Sequence, residues 1–288
     1  MAAIVDNSTV KRSAPAAEPP SQEPAFWQRQ GVIDTLLQIA IAVSMLVLWE
    51  VSCRTFQTDF WTSRPSAIAV ELWRWAASGL LASDLRITLT EAGLGFVIGS
   101  IAGGLIGFVL GWIRRLGDLF EPFILSIYTI PKIALAPLFV LWFGIGVLNK
   151  VMFAGMLVFF MVFFTTYQGT RQVDRDLVEN AQLLGADRWA IWTKIAIPYA
   201  AVWVFTGIRI GLPYAVIGAI VGEFVAADAG VGYRIKEATS LFNTSAVFAG
   251  LIVLMIISFI LLTTLRLIER HVLRWQSAKG VIRVDDAA

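Results

Sequence analysis

The chain has 288 residues, of which 57% are hydrophobic and 15% are charged, and its mean hydropathy is +0.72. Soluble domains are about 45–50% apolar and about 25% charged, so no soluble core would bury this excess and the chain is predicted to lie in lipid. The net charge of +2 gives no basic surface for nucleic acid, and a single cysteine and a single histidine exclude an intrachain disulfide and a multi-histidine metal site.

Residues 1–30 are rich in alanine, proline, serine and glutamate and contain no apolar run. This composition predicts a disordered tail and no cleavable signal peptide. The first apolar segment, from about Ile33, is then expected to act as an uncleaved membrane signal.

Six segments are long and apolar enough to cross a bilayer core of about 30 Å, which takes about 20 helical residues. Lipid leaves no other open structure with its backbone groups satisfied, so the predicted fold class is an all-α membrane protein with six transmembrane helices. The predicted spans are residues 33–53, 88–113, 119–143, 147–168, 198–222 and 246–268.

Lysine and arginine residues are unevenly distributed between the two sides of these spans. The side that holds residues 1–30, 170–197 and 269–288 carries about twice as many of them as the side that holds residues 54–87. Because cationic loops stay in the cytoplasm, both termini and segment 170–197 are predicted to be cytoplasmic, and segment 54–87 periplasmic.

The second span carries a glycine at every fourth position, so these glycines lie on one face of the helix. They are Gly95, Gly99, Gly103, Gly107 and Gly111. A face without side chains lets another helix approach backbone to backbone. The pattern favours close packing within one subunit, and a dimer seam or a lining of the transport path are the alternatives.

The third span contains IPKIALAPLFVLWFGIG, in which Pro131 and Pro137 interrupt the hydrogen-bond ladder and predict a kink or local unwinding. Lys132 lies between the two prolines. Its ammonium group is expected either to snorkel to the cytoplasmic interface or to line the translocation path.

The fifth span carries Arg209 near its middle, where a guanidinium usually faces the protein interior or water. Two arrangements would account for Arg209 at this depth. It could form an ion pair with a carboxylate on another helix, or it could lie beside a path for anions. Glu223, itself a candidate path residue, is a poor partner because it lies about 20 Å away along the same helix. Glu50, Glu91 and Glu223 all lie near predicted span ends, so few buried carboxylates are expected.

The segment between the fourth and fifth spans is polar and patterned, and we call residues 173–198 the elbow. It predicts two short helices, with Asp174 and Asp187 as N-caps and Gly185 as the C-cap of the first helix. Pro198 then opens the fifth span. The first helix carries an apolar stripe and the second carries a tryptophan pair suited to the headgroup zone: Val173, Leu177, Ala181 and Leu184, then Trp189 and Trp192. Such an elbow offers a knob for the groove of a partner protein.

The elbow sequence ENAQLLGADRWAIWTKIAIP resembles the cytoplasmic EAA loop of bacterial ABC-importer permeases. The pattern of that loop is Glu-Ala-Ala, then Gly after any three residues, then Ile-x-Leu-Pro after any nine residues. The matching positions are Glu179, Asn180, Ala181, Gly185, Ile195, Ile197 and Pro198. The sequence departs from the family pattern at two of these positions: Asn180 is found where the pattern has Ala, and Ile197 where it has Leu. Two further stretches are similar to the nitrate/sulfonate/taurine branch of this family: residues 130–146 with the following Lys150, and GEFVAADAGVGY at 222–233. The resemblance covers residues 60 to 270.

The resemblance implies a type I ABC-importer permease fold, with a five-helix core at 88–268 and a coupling loop at 170–197. It implies that two permease subunits, expected to be identical, form the path, that cytoplasmic ABC ATPase subunits bind the elbows, and that a periplasmic substrate-binding protein delivers the solute. The implied coupling residues are Glu179, Ala181, Gly185, Ala186, Ile195 and Pro198.

The predicted function is therefore that of a permease subunit in a bacterial inner membrane, with no catalytic residue, metal or cofactor of its own. The chain has no GxxxxGK[ST] loop, so ATP hydrolysis is expected on a separate subunit. The expected solute is nitrate, a sulfonate, taurine or a related anion. A thiamine-precursor pyrimidine or another small organic solute is the first alternative, and an ATP-independent channel or carrier with acids at the membrane midplane is the second.

Overall fold

The computed structural model describes residues 25–56 and 59–272, and the regular structure within these ranges is helical. The α-helices are α1 Ala25–Phe56, α2 Asp59–Thr62, α3 Pro65–Ala77, α4 Leu80–Trp112, α5 Arg114–Tyr128, α6 Ala136–Phe143, α7 Val147–Arg171, α8 Arg175–Leu183, α9 Arg188–Ile191, α10 Ile197–Val225, α11 Val231–Ser240 and α12 Thr244–Val272. A 3₁₀ turn (Lys132–Leu135) precedes α6 and a π turn (Trp192–Ala196) precedes α10.

The chain divides into two compact units, residues 1–51 and 52–288. The first contains most of α1, which includes a candidate membrane span at Ile33–Phe56. The helix itself begins at Ala25, inside the segment 1–30 that was predicted to be disordered, because Pro24 is the last proline before Pro65 and none interrupts the chain between them. The rest of the predicted tail, residues 1–24, lies outside the described residues, as do 273–288.

In the second unit, α7 packs between α4 and α10, and most of its residues are buried. The main core forms where these three helices meet α11 and α12. Its buried members are Ala92, Val158, Val162, Ala215, Val216, Ala219, Ile220, Val231, Ile235, Val253 and Ile257. A smaller cluster joins α6 to α7 through Phe139 and Phe153. Helix α7 is therefore the central element against which the other spans are placed.

The glycine face of α4 packs directly against α7. All five glycines of the stripe are buried. A Cβ atom built on Gly95 would lie 2.7 Å from the Cβ of Ala154 and from the carbonyl oxygen of Val151, and one on Gly99 would meet the carbonyl oxygen of Gly155. The face is thus occupied by a helix of the same chain, and the two backbones approach because neither helix carries a bulky side chain there.

The third span is broken once. Helix α5 ends at Tyr128, and the axis of the following Lys132–Phe143 segment is bent by 79° from it. Pro131 caps the 3₁₀ turn at this break. Pro137 lies instead in the first turn of α6, where its missing N–H group costs nothing, so the second predicted interruption is absent.

Two helices extend beyond the predicted spans. Helix α4 begins at Leu80 and not at residue 88, because the polar side chains of its first turns are satisfied by partners inside the protein. The fifth span runs without a break from Arg188 to Val225, through the π turn. Pro198 lies in the first turn of α10, and the wider π turn accommodates a residue that has no N–H group to donate. With the bent pair counted as one, the described residues hold the six predicted spans.

Candidate functional site

The elbow is built from two capped helices, as its sequence predicts. The Oδ1 atom of Asp174 accepts a hydrogen bond from the backbone N–H of Asp176 at 2.9 Å, at the start of α8. The Oδ1 atom of Asp187 accepts one from the N–H of Ala190 at 2.8 Å, at the start of α9. Both predicted N-caps are confirmed, and each satisfies an otherwise orphaned backbone donor.

Gly185 makes the bend between these helices. Its φ is +88°, its N–H donates to the carbonyl of Gln182 at 2.9 Å, and the N–H of Ala186 donates to the carbonyl of Ala181 at 2.9 Å. This pair of bonds is a Schellman motif, which needs a left-handed residue at the position of Gly185. A Cβ there would meet nothing within 4 Å, so backbone conformation and not space calls for glycine.

The apolar residues of the elbow do not form one buried stripe. Val173 is buried, but the side chains that follow it project away from the protein. The exposed fractions are 52% for Leu177, 84% for Leu183, 89% for Leu184 and 73% for Trp189. The predicted stripe is therefore divided: Val173 is buried, Ala181 is half-buried, and Leu177 and Leu184 are exposed. Glu179 lies on the same helix and is exposed. The outcome is an exposed apolar surface on an elbow that also carries exposed acidic residues, among them Glu179.

The second half of the elbow is anchored to the bundle. The Trp192 ring lies 5.6 Å from that of Phe108 and 6.0 Å from that of Trp112, both on α4. Ile195 and Pro198 are half-buried in the π turn and the first turn of α10. Since the π turn joins α9 to α10 without a loop, a force on the elbow reaches α10 directly and reaches α4 through Trp192.

Lys132 lies at the break of the third span. Its Nζ donates to the carbonyl of Tyr128 at 2.9 Å and stands 3.9 Å above the centre of the Tyr128 ring and 5.0 Å from that of Phe160. The side chain is half-buried. The ammonium group is folded back onto the end of α5.

Arg209 faces a carboxylate on another helix, one of the two arrangements that its sequence position left open. Its Nη1 atom lies 3.6 Å from Oε2 of Glu269 on α12. The arginine is half-exposed and the glutamate is mostly buried. The charge of the guanidinium is therefore paired within the chain, so its attraction for an anion from outside the chain is weaker.

Glu223 is completely buried and does not meet Arg209. Its Oε1 accepts a hydrogen bond from Oγ1 of Thr88 at 2.6 Å, and its Oε2 accepts one from the N–H of Gly232 at 2.5 Å. The Thr88 hydroxyl in turn accepts from the N–H of Val231 at 3.0 Å. These bonds tie the first turn of α11 to α4 and α10.

A buried ion pair lies beside Glu223. Lys150 Nζ is 2.9 Å from Oε1 of Glu91, and both side chains are almost fully excluded from solvent. The Glu91 and Glu223 carboxyl groups are neighbours, so two buried acids and one lysine lie at the place where α4, α7 and α10 meet, and the lysine pairs with Glu91. Neither member of the pair was recognised as buried from the sequence.

Asp84 holds a further contact to α11. It accepts hydrogen bonds from Nε of Arg234 at 2.9 Å, from the N–H of Gly230 at 3.0 Å and from Nε1 of Trp75 at 3.2 Å. The bond to Asp84 raises the pKa of the Arg234 guanidinium still further above neutrality, so this cation stays charged. Asp84, like Glu91 and Glu223, is buried.

The prediction of few buried carboxylates is therefore wrong. Glu91 and Glu223 were placed near span ends, where a carboxylate would reach water, but α11 and α3 cover these ends and also bury Asp84, which the sequence analysis did not single out. The signal available in the sequence was the number of charged residues beside the same span ends, including Lys150 and Arg234. Opposite charges in such numbers indicate pairing once the ends are covered.

Six apolar spans, internally paired charges and a capped elbow between the fourth and fifth spans define a polytopic α-helical membrane protein of the transporter class. The chain belongs to the family of binding-protein-dependent transport system inner membrane components, whose pattern matches residues 95–274. It is a permease subunit of an ABC importer, and a multi-pass protein of the inner membrane.

Three relatives illustrate this membership. The chain is 34% identical over 253 residues to the riboflavin transport system permease protein RibX of Chloroflexus aurantiacus, covering 88% of this chain and 92% of that protein. It is 33% identical to the putative aliphatic sulfonates transport permease protein SsuC of Bacillus subtilis, covering 74% and 78%. It is 30% identical to the formylaminopyrimidine transport permease protein ThiX of Halalkalibacterium halodurans, covering 81% and 92%.

The fold matches that of a solved importer. The structure of the methionine ABC transporter MetNI in inward-facing conformations contains a chain that superposes with a TM-score of 0.52 at 18% identity, covering 65% of this chain and 96% of that one. At this identity the likeness concerns the fold alone, which is the type I ABC-importer permease fold predicted from the sequence.

Proposed function

We propose that the elbow is the docking site for a cytoplasmic ABC ATPase, which supplies the energy for import. The observation that carries this proposal is the exposed apolar surface formed by Leu177, Leu183, Leu184 and Trp189. Exposed apolar surfaces of this kind, with polar residues around them, mark contacts with a partner. Nucleotide-driven movement of the ATPases would push on the elbow and reach α10 through the π turn.

The assembly is proposed to contain two copies of this permease, two ATPases and a periplasmic binding protein. In this arrangement both termini and the elbow are cytoplasmic, in agreement with the excess of lysine and arginine on that side. Segment 54–87 and helix α11 then face the periplasm, where the binding protein releases its solute.

The proposed solute is a small anion such as a sulfonate, taurine or nitrate. This proposal is supported by the relative named for aliphatic sulfonates and by Lys132, which has no carboxylate partner among the described residues. A second candidate class is a heteroaromatic organic solute, such as a thiamine-precursor pyrimidine. It is favoured by the relatives named for riboflavin and for formylaminopyrimidine.

Uptake measurements separate the two solute classes. Cells that produce the chain with its ATPase and binding protein are supplied with radiolabelled hexanesulfonate, taurine, nitrate or formylaminopyrimidine. We expect accumulation of an anion that stops when the ATPase is inactivated. Accumulation of formylaminopyrimidine without any of the three anions would sink the anion proposal, and accumulation that persists without the ATPase would contradict ATP coupling.

A further inference from the structure

A largely apolar cavity of about 440 Å³ lies between α4, the broken third span and α7. Its walls are formed by side chains such as Ile98, Phe139, Trp142, Met152 and Met156. Lys132, at the break between α5 and α6, is the one charged residue among those that line it. Broken helices near the centre of a bundle are where transporters commonly bind their solutes.

Lys132 differs from the other cations placed among the spans. Lys150 is paired with Glu91, Arg209 with Glu269, and Arg171 with Asp118 and Glu121. In the described part of the chain Lys132 has no carboxylate within ion-pair distance.

The Lys132 ammonium group meets only a carbonyl and aromatic rings. Of its three N–H donors one is used by the carbonyl of Tyr128, and the rings of Tyr128 and Phe160 stabilise the charge without neutralising it. A cation in this state is available to an anion from outside the chain.

We propose that this cavity binds a small organic anion, with Lys132 on its charged group and the apolar walls around its carbon skeleton. The proposal deepens the proposed function, on which it rests for the direction and energy of transport. A volume of about 440 Å³ falls in the range of about 300–1,000 Å³ that is usual for sites of organic ligands.

The same walls argue against an inorganic ion as the preferred occupant. A strongly hydrated ion such as nitrate would lose water on entry and find, among the side chains that line the cavity, only the Lys132 ammonium group and the indole N–H of Trp142 as donors. An alkylsulfonate or a related carboxylate instead transfers its apolar part from water to Phe139, Trp142 and Met156, which is favourable by about 25 cal/mol for each Å² buried.

A cysteine at the cavity wall tests the proposal without requiring transport. Met156→Cys is made in the full chain, which is placed in nanodiscs of phosphatidylcholine. The native Cys53 is buried and is therefore not expected to react with the reagents. The new thiol is reacted with the anionic sulfonatoethyl methanethiosulfonate and with the cationic trimethylammonioethyl methanethiosulfonate, each rate being divided by that for a free thiol. We expect the anionic reagent to be favoured by about tenfold, as a single charge nearby would cause.

Matched variants identify the source of that preference. Lys132→Gln should abolish it, while Lys132→Arg, and Arg209→Gln as a control for a cation paired elsewhere, should retain it. Hexanesulfonate should slow the labelling of the thiol introduced by Met156→Cys, and hexanol at the same concentration should not.

Three outcomes would overturn the proposal. They are equal normalised rates for both reagents, a preference that survives Lys132→Gln, and protection by added phosphatidylglycerol in place of hexanesulfonate, which would make the cavity a lipid site. Because the assay contains no ATPase or binding protein, its failure is distinguishable from a failure of the proposed docking at the elbow.

Discussion

Gly185→Pro is expected to reduce ATP-driven uptake by more than about tenfold while the chain still inserts in the membrane. Proline is fixed near φ −65° and cannot adopt the +88° found at this position, and it removes the N–H that bonds to Gln182. The disruption is of the order that proline costs inside a helix, about 3 kcal/mol, which is enough to lose the shape of the elbow. Uptake of labelled solute, normalised to the amount of chain in the membrane, measures the effect.

Two further variants at this position form a graded control. Gly185→Asn should retain most uptake, because asparagine tolerates the left-handed region, and Gly185→Ala should fall between, at a cost of about 1 kcal/mol.

A charge reversal, Glu179→Arg, should also reduce uptake, because it changes the charge beside the exposed apolar surface. Full uptake in Gly185→Pro and Glu179→Arg together would remove the elbow from the coupling mechanism.

Lys150→Met is expected to lower the stability of the bundle by about 3–5 kcal/mol, since removing one partner of a buried ion pair leaves the other charge uncompensated. The effect should be large here because Glu91, the ion-pair partner of Lys150, is completely buried beside a second buried carboxyl group, that of Glu223. The midpoint of thermal unfolding, followed as loss of the monodisperse peak of detergent-solubilised protein, measures it.

A double variant distinguishes lost charge pairing from lost packing. Lys150→Met with Glu91→Leu removes both charges and should recover much of the loss, because well-packed apolar pairs often replace buried ion pairs without penalty. Arg74→Met serves as the matched control, since the Arg74–Glu71 pair is exposed and its loss should change the midpoint little. An unchanged midpoint in Lys150→Met would mean that the pair does not stabilise the bundle.

Local features of this fold were predictable from the sequence. Span number follows from hydropathy, and the elbow follows from three residues whose roles are set by their neighbours: Asp174 and Asp187 cap helices, and Gly185 provides a left-handed turn. The periodic glycines likewise indicate a close helix contact. Each of these depends on residues within a few turns of one another, so no knowledge of tertiary structure is needed.

Long-range features were not predictable. Glu91 and Lys150 are 59 residues apart, and their pairing depends on how α4 crosses α7. The burial of Asp84 and Glu223 depends on the packing of α11 over the span ends, which a hydropathy pattern does not contain. The single break in the third span has the same origin, since Pro131 and Pro137 look equivalent in the sequence and only the start of α6 makes Pro137 harmless.

The exposed face of α8 illustrates a further limit. The predicted stripe of apolar residues does not lie on one side of the boundary between core and solvent: Val173 is buried, but Leu177 and Leu184 are exposed in the single chain. The pattern is the same whether a face is covered by its own bundle or by another protein. Only the structure separates the two cases here, and it shows that these leucines are exposed, as the proposed docking of a partner requires.

The most direct test of ATPase docking at the elbow is a co-purification from the membrane in mild detergent. The tagged chain is compared with Leu184→Glu, at an elbow residue that is 89% exposed, and with Leu241→Glu, at a residue that is 72% exposed at the end of α11. We predict that the ATPase is recovered in equal amounts with the native chain and Leu241→Glu and is lost with Leu184→Glu. Equal recovery with all three, or no ATPase with any of them, would contradict docking at the elbow.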